Sequence, residues 1–373
     1  MRLISLQKNL KAAVYTVSHI AQKNTNLPIL NNILISVNDG IIKLITTNLE
    51  IGITSLLRGK VETPGSFTVD ARILSDYVNL LNNEKTTIEL KNNELLVECG
   101  ESKTKIKGTS AEEFPFIPEI ERVNPYLISV EDFKKAASQV IFSAALDESR
   151  AELSGILFVF KEQKLTMVAT DSYRLSEKIL PVTSENKDER QCIVPARTIQ
   201  EILRVIGSDM GEDETPKEII FYFSENQCLF VLGNTEVVSR LIDGRYPDYR
   251  QIIPERHTSR VTIDKQELGR AVKAAALFSK TGVNDINIDI DVGKKNLTIS
   301  AASGQTGEHT SSLTADINGE DVSIILNSRY LLDVINVLTE SRVVLELIDE
   351  NTPCVIRDGE RKDFLYIIMP IRK

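Results

Sequence analysis

The sequence predicts an α+β fold made of three copies of one module, each with two helices on one face of an antiparallel sheet. Three observations predict this fold. One helix pattern occurs three times at wide, similar intervals, a second helix precedes each copy, and strand pairs lie between and after the two helices. A helix template that recurs by chance in an α/β protein would explain the first observation, but the agreement of the flanking segments favours an internal repeat.

The central element of each module is the helix that follows Arg72, Arg197 and Arg329, which are 125 and 132 residues apart. Apolar residues follow each arginine with the spacing i, i+3, i+4 and i+7, which predicts an amphipathic helix. These residues are Leu74, Tyr77, Val78 and Leu81 in the first copy, Ile199, Ile202, Leu203 and Ile206 in the second, and Leu331, Val334, Ile335 and Leu338 in the third. A short strand precedes each helix, so each module contains the same strand-to-helix connection.

The other elements of the module repeat in the same order. An earlier helix starts its apolar pattern at Leu10, Phe133 and Leu268. Alternating apolar residues predict a strand hairpin between the two helices. These hairpins lie at residues 33–45, 156–169 and 286–299, and the strand pairs that follow the second helix lie at 87–98, 219–232 and 343–357.

The ends of the modules are marked by an apolar residue followed by proline. These pairs are Phe114 with Pro115, Tyr246 with Pro247, and Met369 with Pro370. Pro118, Pro125 and Pro254 mark the links between modules, because proline stiffens a connection and ends a strand ladder. We therefore place the modules at residues 1–125, 126–254 and 255–373. Consecutive modules can pair their sheet edges within the chain, but the first and last modules would each leave an edge unpaired. A closed oligomer would cover those edges.

Composition excludes several classes of protein. The chain has 373 residues, of which 42% are hydrophobic and 26% charged, so it can form two or three cores. No signal pattern and no membrane-length apolar run is found, and we expect a cytoplasmic protein. Four cysteines and three histidines lack the spacing of a metal site or a disulfide framework, so we expect no cofactor and no metal. These residues are Cys99, Cys192, Cys228, Cys354, His19, His257 and His309.

Charge is distributed unevenly along the chain. The net charge is −9, yet residues 6–23 and 265–280 each carry +3. Lys11 lies in the first of these segments, and Arg204, Arg270 and Lys273 project away from the apolar stripes of their helices. Basic residues on a wet helix face can serve solubility alone. As a property of the whole helical layer, however, they favour a positive surface that meets the phosphates of nucleic acid without reading sequence.

No catalytic motif of the common phosphate-binding, dinucleotide-binding or serine-hydrolase types is present. The run Thr170, Asp171, Ser172 could suggest a nucleophilic serine, but no histidine lies near it in sequence. Two alternatives to a DNA-binding ring remain open from the residues. One is a hydrolase that uses Asp171 and Ser172, and the other is a scaffold ring that binds peptides and never DNA.

Four motifs resemble the bacterial sliding clamps, the DNA polymerase III beta subunits. They are LPIL at residues 27–30, ATDSYRL at 169–175, DGRYPDYR at 243–250 and MPIR at 369–372. The resemblance covers the whole chain. It implies a head-to-tail homodimer whose six modules form a ring around duplex DNA, without enzymatic activity. It also implies as partners the clamp loader, the DNA polymerase III alpha subunit, other DNA polymerases and repair proteins, and no membrane.

The resemblance also assigns functional residues. A peptide pocket between the second and third modules is implied at Leu153, Thr170, Ser172, Tyr173, Arg174, Leu175, Pro247, Ile252, Tyr330, Ile367, Met369, Pro370, Ile371 and Arg372. Core packing is the alternative for about a third of these residues. The subunit interface is implied at Leu277 and Phe278, which would face a strand that carries Lys103, Thr104 and Ile106.

DNA contacts are implied at Asn24, Arg72, Arg150 and Arg197, with Lys23 beside the first of them. This chain departs from the family at three places. It has Asn24 at a basic position, Ala151 and Glu152 where neighbouring aromatic residues can occur, and Lys373 where a hydrophobic residue often ends the chain.

Overall fold

A computed structural model describes residues 1–21, 26–186, 189–208 and 216–372. The chain divides into two compact units, and the central repeat contributes to both. The first unit contains Met1–Phe133, Val182–Lys187 and Arg197–Leu241, and the second contains Lys134–Pro181, Asp188–Ala196 and Ile242–Lys373. No helix in the described ranges is long and apolar enough to cross a membrane.

Two helices occur in each repeat, at the predicted places. In the described residues they are α1 (Gln7–Ser18), α2 (Ala71–Leu80), α3 (Val130–Val140), α4 (Ala196–Gly207), α5 (Lys265–Ala276) and α6 (Ser328–Val337). In the first unit α1 packs against α2, and in the second unit α5 packs against α6. In the first and third repeats the two helices therefore lie side by side, as the repeated apolar stripes predict.

The strand-to-helix connections are stabilised by side-chain caps. Asp70 accepts a hydrogen bond from the amide of Ile73 at the start of α2, and Asp264 caps α5 in the same way. Asn327 caps α6 by accepting from the amide of Arg329. Such a cap contributes about 1 kcal/mol because it satisfies a backbone donor that the helix leaves unpaired. Pro195 stands at the equivalent position of α4, where no side chain can serve as this cap.

One antiparallel sheet runs through the first unit. Its strands are β1 (Arg2–Leu6), β2 (Asn32–Asn38), β3 (Ile41–Thr47), β4 (Ile51–Leu56), β5 (Gly59–Thr63), β6 (Gly65–Asp70), β7 (Lys85–Lys91), β8 (Glu94–Cys99), β9 (Ser102–Thr109), β10 (Tyr126–Ser129), β15 (Glu218–Phe223), β16 (Gln227–Leu232) and β17 (Thr235–Arg240). Among the described residues their order is β10-β15-β16-β17-β4-β3-β2-β6-β9-β8-β7-β1-β5. The hairpin predicted at residues 33–45 corresponds to β2 with β3, and the strand pairs predicted at 87–98 and 219–232 correspond to β7 with β8 and to β15 with β16.

The second unit contains two sheets. Its strands are β11 (Gly155–Lys161), β12 (Lys164–Thr170), β13 (Arg174–Pro181), β14 (Arg190–Pro195), β18 (Ser259–Asp264), β19 (Asp285–Asp291), β20 (Asn296–Ser303), β21 (Gly307–Thr314), β22 (Asp316–Asn318), β23 (Val322–Asn327), β24 (Arg342–Leu347), β25 (Cys354–Asp358) and β26 (Phe364–Ile368). Over the described part of the chain, one sheet has the order β14-β11-β12-β13-β26-β25-β24-β18-β22 and the other β21-β20-β19-β23.

Consecutive repeats join by strand pairing, as the edge argument predicts. In the first unit β4 pairs antiparallel with β17, and Ile53 lies opposite Val237. In the second unit β13 pairs antiparallel with β26, and Ser176 lies opposite Tyr366. At each joint the strand that follows the hairpin of one repeat meets the last strand of the next repeat.

In the part of the chain that the structure describes, the strand after the hairpin of the third repeat and the last strand of the first repeat do not take part in such a joint. β21 follows the hairpin of the third repeat and pairs along its length with β20. Its other edge has no strand partner among the described residues. β9 is the last strand of the first repeat, and beyond β8 it pairs only through Gly108 and Thr109 with β6. The edges of β9 and β21 that would form a joint between repeats therefore have no such strand partner among the described residues.

Candidate functional site

The turn between β12 and β13 is fixed by its own side chains. The Thr170 hydroxyl donates to the carbonyl of Arg174 at 2.6 Å and accepts from the amide of Ser172 at 3.1 Å. One carboxylate oxygen of Asp171 accepts from the amides of Tyr173 and Arg174 at 2.9 and 3.0 Å. Ser172 has a φ of 77°, a left-handed conformation that these bonds hold in place. The turn leaves the Tyr173 side chain 65% exposed.

Arg174 extends from this turn into a cluster of acids and rings. Its Nε donates to Asp171 at 3.0 Å and its Nη1 donates to Asp333 of α6 at 2.5 Å. Its guanidinium carbon lies 4.4 Å from the ring centroid of Tyr330 and 5.5 Å from that of Phe142. Only 11% of the Arg174 side chain is exposed. This guanidinium is therefore already paired, and it is not an open site for a ligand carboxylate.

The electrostatics of this cluster keep Arg174 charged. Burial alone would lower the pKa of Arg174, but the phenol of Tyr366 and the carboxylates of Asp333 and Asp171 outweigh it, so the pKa is raised. Burial raises the pKa of Tyr330 and of Tyr366, which keeps both phenols neutral. The Tyr366 hydroxyl donates to the backbone carbonyl of Tyr330 at 3.0 Å.

Some expected pocket residues lie in the core. Leu175 pairs with Ile367 across β13 and β26, and both are fully buried in one apolar cluster with Leu153, which is 2% exposed. Thr170 is 6% exposed because its hydroxyl is used within the turn. For these four side chains the structure agrees with the alternative of core packing, because strand pairing and the residues packed over that sheet face cover them. They form a floor beneath the exposed residues.

The remaining expected pocket residues reach the surface of the second unit. Pro247, Ile252, Ser172, Tyr173 and Arg372 are exposed, and Tyr330, Met369, Pro370 and Ile371 are half-buried. The end of the chain is fixed beside the turn, because the Met369 amide donates to the carbonyl of Tyr173 at 2.9 Å. The Ile371 amide donates to the carbonyl of Ile325 in β23 at 2.8 Å. The tail thus forms a wall next to Tyr173, and Lys373 lies outside the described residues.

Most of the residues expected to contact DNA are exposed basic side chains. Exposed side chains on helices are Lys11, Arg72, Arg197, Arg270 and Lys273. Arg150 is also exposed, but it pairs with Glu152 at 3.2 Å and donates to the Ser172 hydroxyl at 3.1 Å, at the turn described above. Lys23 and Asn24 lie outside the described residues.

The expectation that Arg204 projects outward is wrong. Its side chain is 16% exposed and pairs with Glu201 at 2.9 Å. It also donates to the carbonyl of Thr16 at 2.6 Å and lies 5.5 Å from the ring centroid of Tyr15. The helical wheel places a residue only relative to its own helix. Here α1 lies beside α4 and covers the face that carries Arg204.

The residues expected at the subunit interface differ in how far they are exposed. Leu277, just after α5, is 72% exposed, and Phe278 is half-buried with its ring stacked on His309 at a centroid distance of 5.8 Å. Lys103 is exposed beside Glu98, with which it forms an ion pair, and Thr104 is half-buried. The Ile106 side chain is 5% exposed and belongs to the core, so Ile106 could take part in the expected interface only through its backbone.

The repeat identifies residues that sequence reasoning missed. Arg329 and Lys134 are exposed at the positions that Arg197 and Lys11 occupy in their own repeats. Two large apolar residues of α2 are also exposed, Ile73 at 55% and Leu80 at 82%. Their counterparts in α4 are Thr198 and Val205, which are fully buried. The signal in the sequence is partial: Ile73 stands where the other repeats have Thr198 and Tyr330, but the position of Leu80 is apolar in every repeat, with Val205 and Val337, so only the structure shows that Leu80 is exposed.

The two central groups of the turn, Asp171 and Ser172, are not arranged for hydrolysis. Asp171 accepts from turn amides and from Arg174, and the Ser172 hydroxyl accepts from Arg150. Within the described ranges, no three histidine, cysteine, aspartate or glutamate side chains come together as ligands for a metal ion.

Comparisons with known proteins cover the whole chain. Models of the DNA polymerase III beta subunit match as its N-terminal domain at residues 1–118, its central domain at 127–248 and its C-terminal domain at 250–372. The beta sliding clamp of Streptococcus pneumoniae is 29% identical over 381 residues, covering 99% of this chain and 98% of that protein. The beta sliding clamp of Synechococcus elongatus is 27% identical over 376 residues, covering 100% and 99%.

A solved structure agrees with these relatives. The Pseudomonas aeruginosa sliding clamp bound to griselimycin is 26% identical, with a TM-score of 0.94 over 100% of both chains.

Proposed function

Because the chain belongs to the DNA polymerase III beta subunit family and acts as a DNA sliding clamp, we propose that two copies close into a ring around duplex DNA. The ring tethers DNA polymerases through a peptide pocket beside the Tyr173 turn. It is a non-catalytic, cytoplasmic protein with modules at residues 1–125, 126–254 and 255–373. Its further partners are the clamp loader, the DNA polymerase III alpha subunit and repair proteins.

The observation that carries this proposal is the pair of open strand edges. The two joints within the chain pair a post-hairpin strand with a last strand, and only β21 and β9 are left without that pairing among the described strands. These edges belong to the first and third repeats, and among the described strands β9 and β21 do not pair with each other. A second copy, related by a two-fold axis, would cover both edges through two identical contacts.

The known joints give the register of the proposed contact. Ile53 in β4 and Ser176 in β13 are the residues at the centre of the two joints. Each lies opposite the third inward-facing residue of the strand before it, which is β3 or β12. In the third repeat His309 of β21 has the same position, opposite the third inward-facing residue of β20. Thr104 holds the corresponding place in β9. We therefore expect Thr104 of one copy to lie opposite His309 of the other. Lys105 would then lie opposite Glu308, which pairs opposite charges across the strands.

The helices support the same contact. At the joint in the first unit, α1 and His19 after it contact Glu201 and Arg204 of α4, and Val205 on the same helix is fully buried. The equivalent face of α2 carries the exposed Ile73 and Leu80. Leu277 and Phe278 of a second copy would cover it, as the end of α1 covers α4. Burying these apolar side chains would contribute about 25 cal/mol per Å² of apolar area removed from water.

The DNA contact is proposed for the exposed cations of the helices. Arg72, Arg197 and Arg329 stand at one repeated position, and Lys11, Lys134, Arg270 and Lys273 lie on the first helix of each repeat. Long basic side chains on helix surfaces meet phosphates, which are the same in every sequence. We do not retain Arg204 in this set because it is used between α1 and α4.

A disulfide cross-link tests the proposed register. With Thr104→Cys and His309→Cys in one chain, oxidation should link two chains through two disulfides, which non-reducing gel electrophoresis would show as a dimer band. Side chains directly opposite in antiparallel strands have Cβ atoms about 5 Å apart, within reach of a disulfide. The native cysteines are buried and should not interfere.

The matched control is Thr104→Cys with Leu313→Cys. This residue lies on the same side of β21 but four residues away, or about 13 Å at 3.3 Å per residue, so it should not cross-link. Equal cross-linking of both variants, or of neither, would contradict the proposed register.

The alternative function is a peptide-binding ring that has no role on DNA. The exposed residues beside the tail would serve it equally well. The repeated exposed cations of the helices favour the DNA clamp, since a peptide scaffold gives no reason for basic residues at the same position in all three repeats.

A further inference from the structure

We propose that Asp333 is a positioning residue for client binding, which acts through Arg174 to hold the Tyr173 turn and the tail against α6. This inference rests on the peptide pocket proposed above and names a residue outside that pocket. Asp333 lies on α6, in the helical layer, and its side chain is 43% exposed. Its hydrogen bond with the side chain of Arg174 connects it to the pocket.

A continuous set of bonds links the two places. Asp333 accepts from Arg174, and Arg174 donates to Asp171. Asp171 in turn holds the amides of the turn, and the carbonyl of Tyr173 accepts from the amide of Met369. The exposed Tyr173 ring and the start of the tail are thus tied to α6 by consecutive polar contacts. The guanidinium also lies over the Tyr330 ring, a cation–π contact that favours its place within this set.

The first repeat shows what Arg174 adds. Its equivalent turn has the same bonds, because Thr47 accepts from the amide of Leu49 and donates to the carbonyl of Ile51. Leu49 has the same φ of 77°, and Asn48 takes the place of Asp171. This turn forms with Ile51 where the second repeat has Arg174. The local turn therefore does not require the arginine, which instead connects the turn to a helix.

The repeat also supplies the matched control. Asp76 of α2 stands four residues after Arg72, as Asp333 stands four residues after Arg329. Asp76 is 71% exposed and pairs with Arg72 on the surface of its own helix at 3.6 Å. It has the same chemistry and helix position as Asp333 but no link to a peptide turn. The Asp76–Arg72 pair is exposed on both sides, so its loss should change stability little.

The test measures peptide affinity by fluorescence anisotropy on the dimeric protein. The probe is a fluorescein-labelled hexapeptide whose last two residues are leucine and phenylalanine. Asp333→Asn should weaken binding about tenfold, because one of the two carboxylates that hold Arg174 becomes neutral and the turn loses its fixed place. Asp76→Asn should bind as the native protein does. The melting temperatures of all variants verify folding.

A double variant separates positioning from general loosening of the fold. In the background of Arg174→Ala, Asp333→Asn should cause no further loss of affinity, since Asp333 acts only through the guanidinium. An unchanged affinity for Asp333→Asn, or an equal further loss in the Arg174→Ala background, would overturn the inference. If the native dimer does not bind the peptide, the pocket itself is refuted and the inference falls with it. If the native protein binds and Asp333→Asn binds equally, only the role of Asp333 is refuted.

Discussion

Once loaded, the protein should leave linear DNA at least about 100-fold faster than covalently closed circular DNA of the same sequence. The reason is topological. A closed ring is retained by the circle itself, whereas the exposed cations of the helices make only phosphate contacts that exchange readily with salt. The fluorescently labelled protein is loaded on circular DNA, and half of the sample is then linearised with a restriction enzyme that cuts the DNA once. Gel filtration of both halves over time measures how long the protein stays on each form of DNA.

Salt provides the control for this experiment. Raising the salt from about 0.05 to about 0.2 M weakens phosphate contacts strongly, yet it should change retention on the circle little. Equal lifetimes on circular and linear DNA, both shortened by salt, would mean that the protein grips DNA by contact. If no protein is found on either form of DNA after the loading reaction, the peptide scaffold is favoured.

Deleting residues 369–373 should weaken binding of a client peptide at least tenfold and leave the dimer intact. A peptide that buries about 400 Å² of apolar area would gain about 10 kcal/mol, and ordering costs reduce this to micromolar affinity. The deletion removes the wall formed by Met369, Pro370 and Ile371 and the exposed cation Arg372. Fluorescence anisotropy with the same hexapeptide measures the loss.

The deletion does not touch β9, β21 or the end of α5, so sedimentation of the truncated protein serves as its control. A truncated dimer with native affinity would show that the peptide binds elsewhere. A truncated protein that loses both the dimer and the affinity would show that the tail supports the fold rather than the pocket.

Much of the fold could be predicted because the spacing of apolar residues is similar in all three repeats and is typical of helices and hairpins. The helices and hairpins have clear patterns, and all of them lie where the sequence places them. The strands that form the joints were less visible. The sequence of β21 is GEHTSSLT, which is nearly all polar, and its role follows from its neighbour β20 rather than from its own pattern.

The candidate site was less predictable because its residues are defined by other parts of the chain. Arg204 is turned inward by α1, which is far away in sequence. Leu175 and Ile367 appear as pocket residues in the family motif, but strand pairing and packing bury them. The pairing of Arg174 with Asp333 spans 159 residues and has no local signal. What the sequence does contain is the repeated acid at Asp76, Glu201 and Asp333, and each of the three has a different partner.

Sedimentation equilibrium at micromolar concentration tests the closed two-chain ring most directly. We expect a single species of about 83 kDa, twice the 41.7 kDa of one chain, with no larger assemblies as concentration rises. Leu277→Asp with Phe278→Asp should give a folded species of one-chain mass, because each side chain contributes roughly 1.5 to 3 kcal/mol by burial. A native protein of one-chain mass, or a series of masses that grows with concentration, would contradict the closed dimer, the second because it indicates an open head-to-tail polymer.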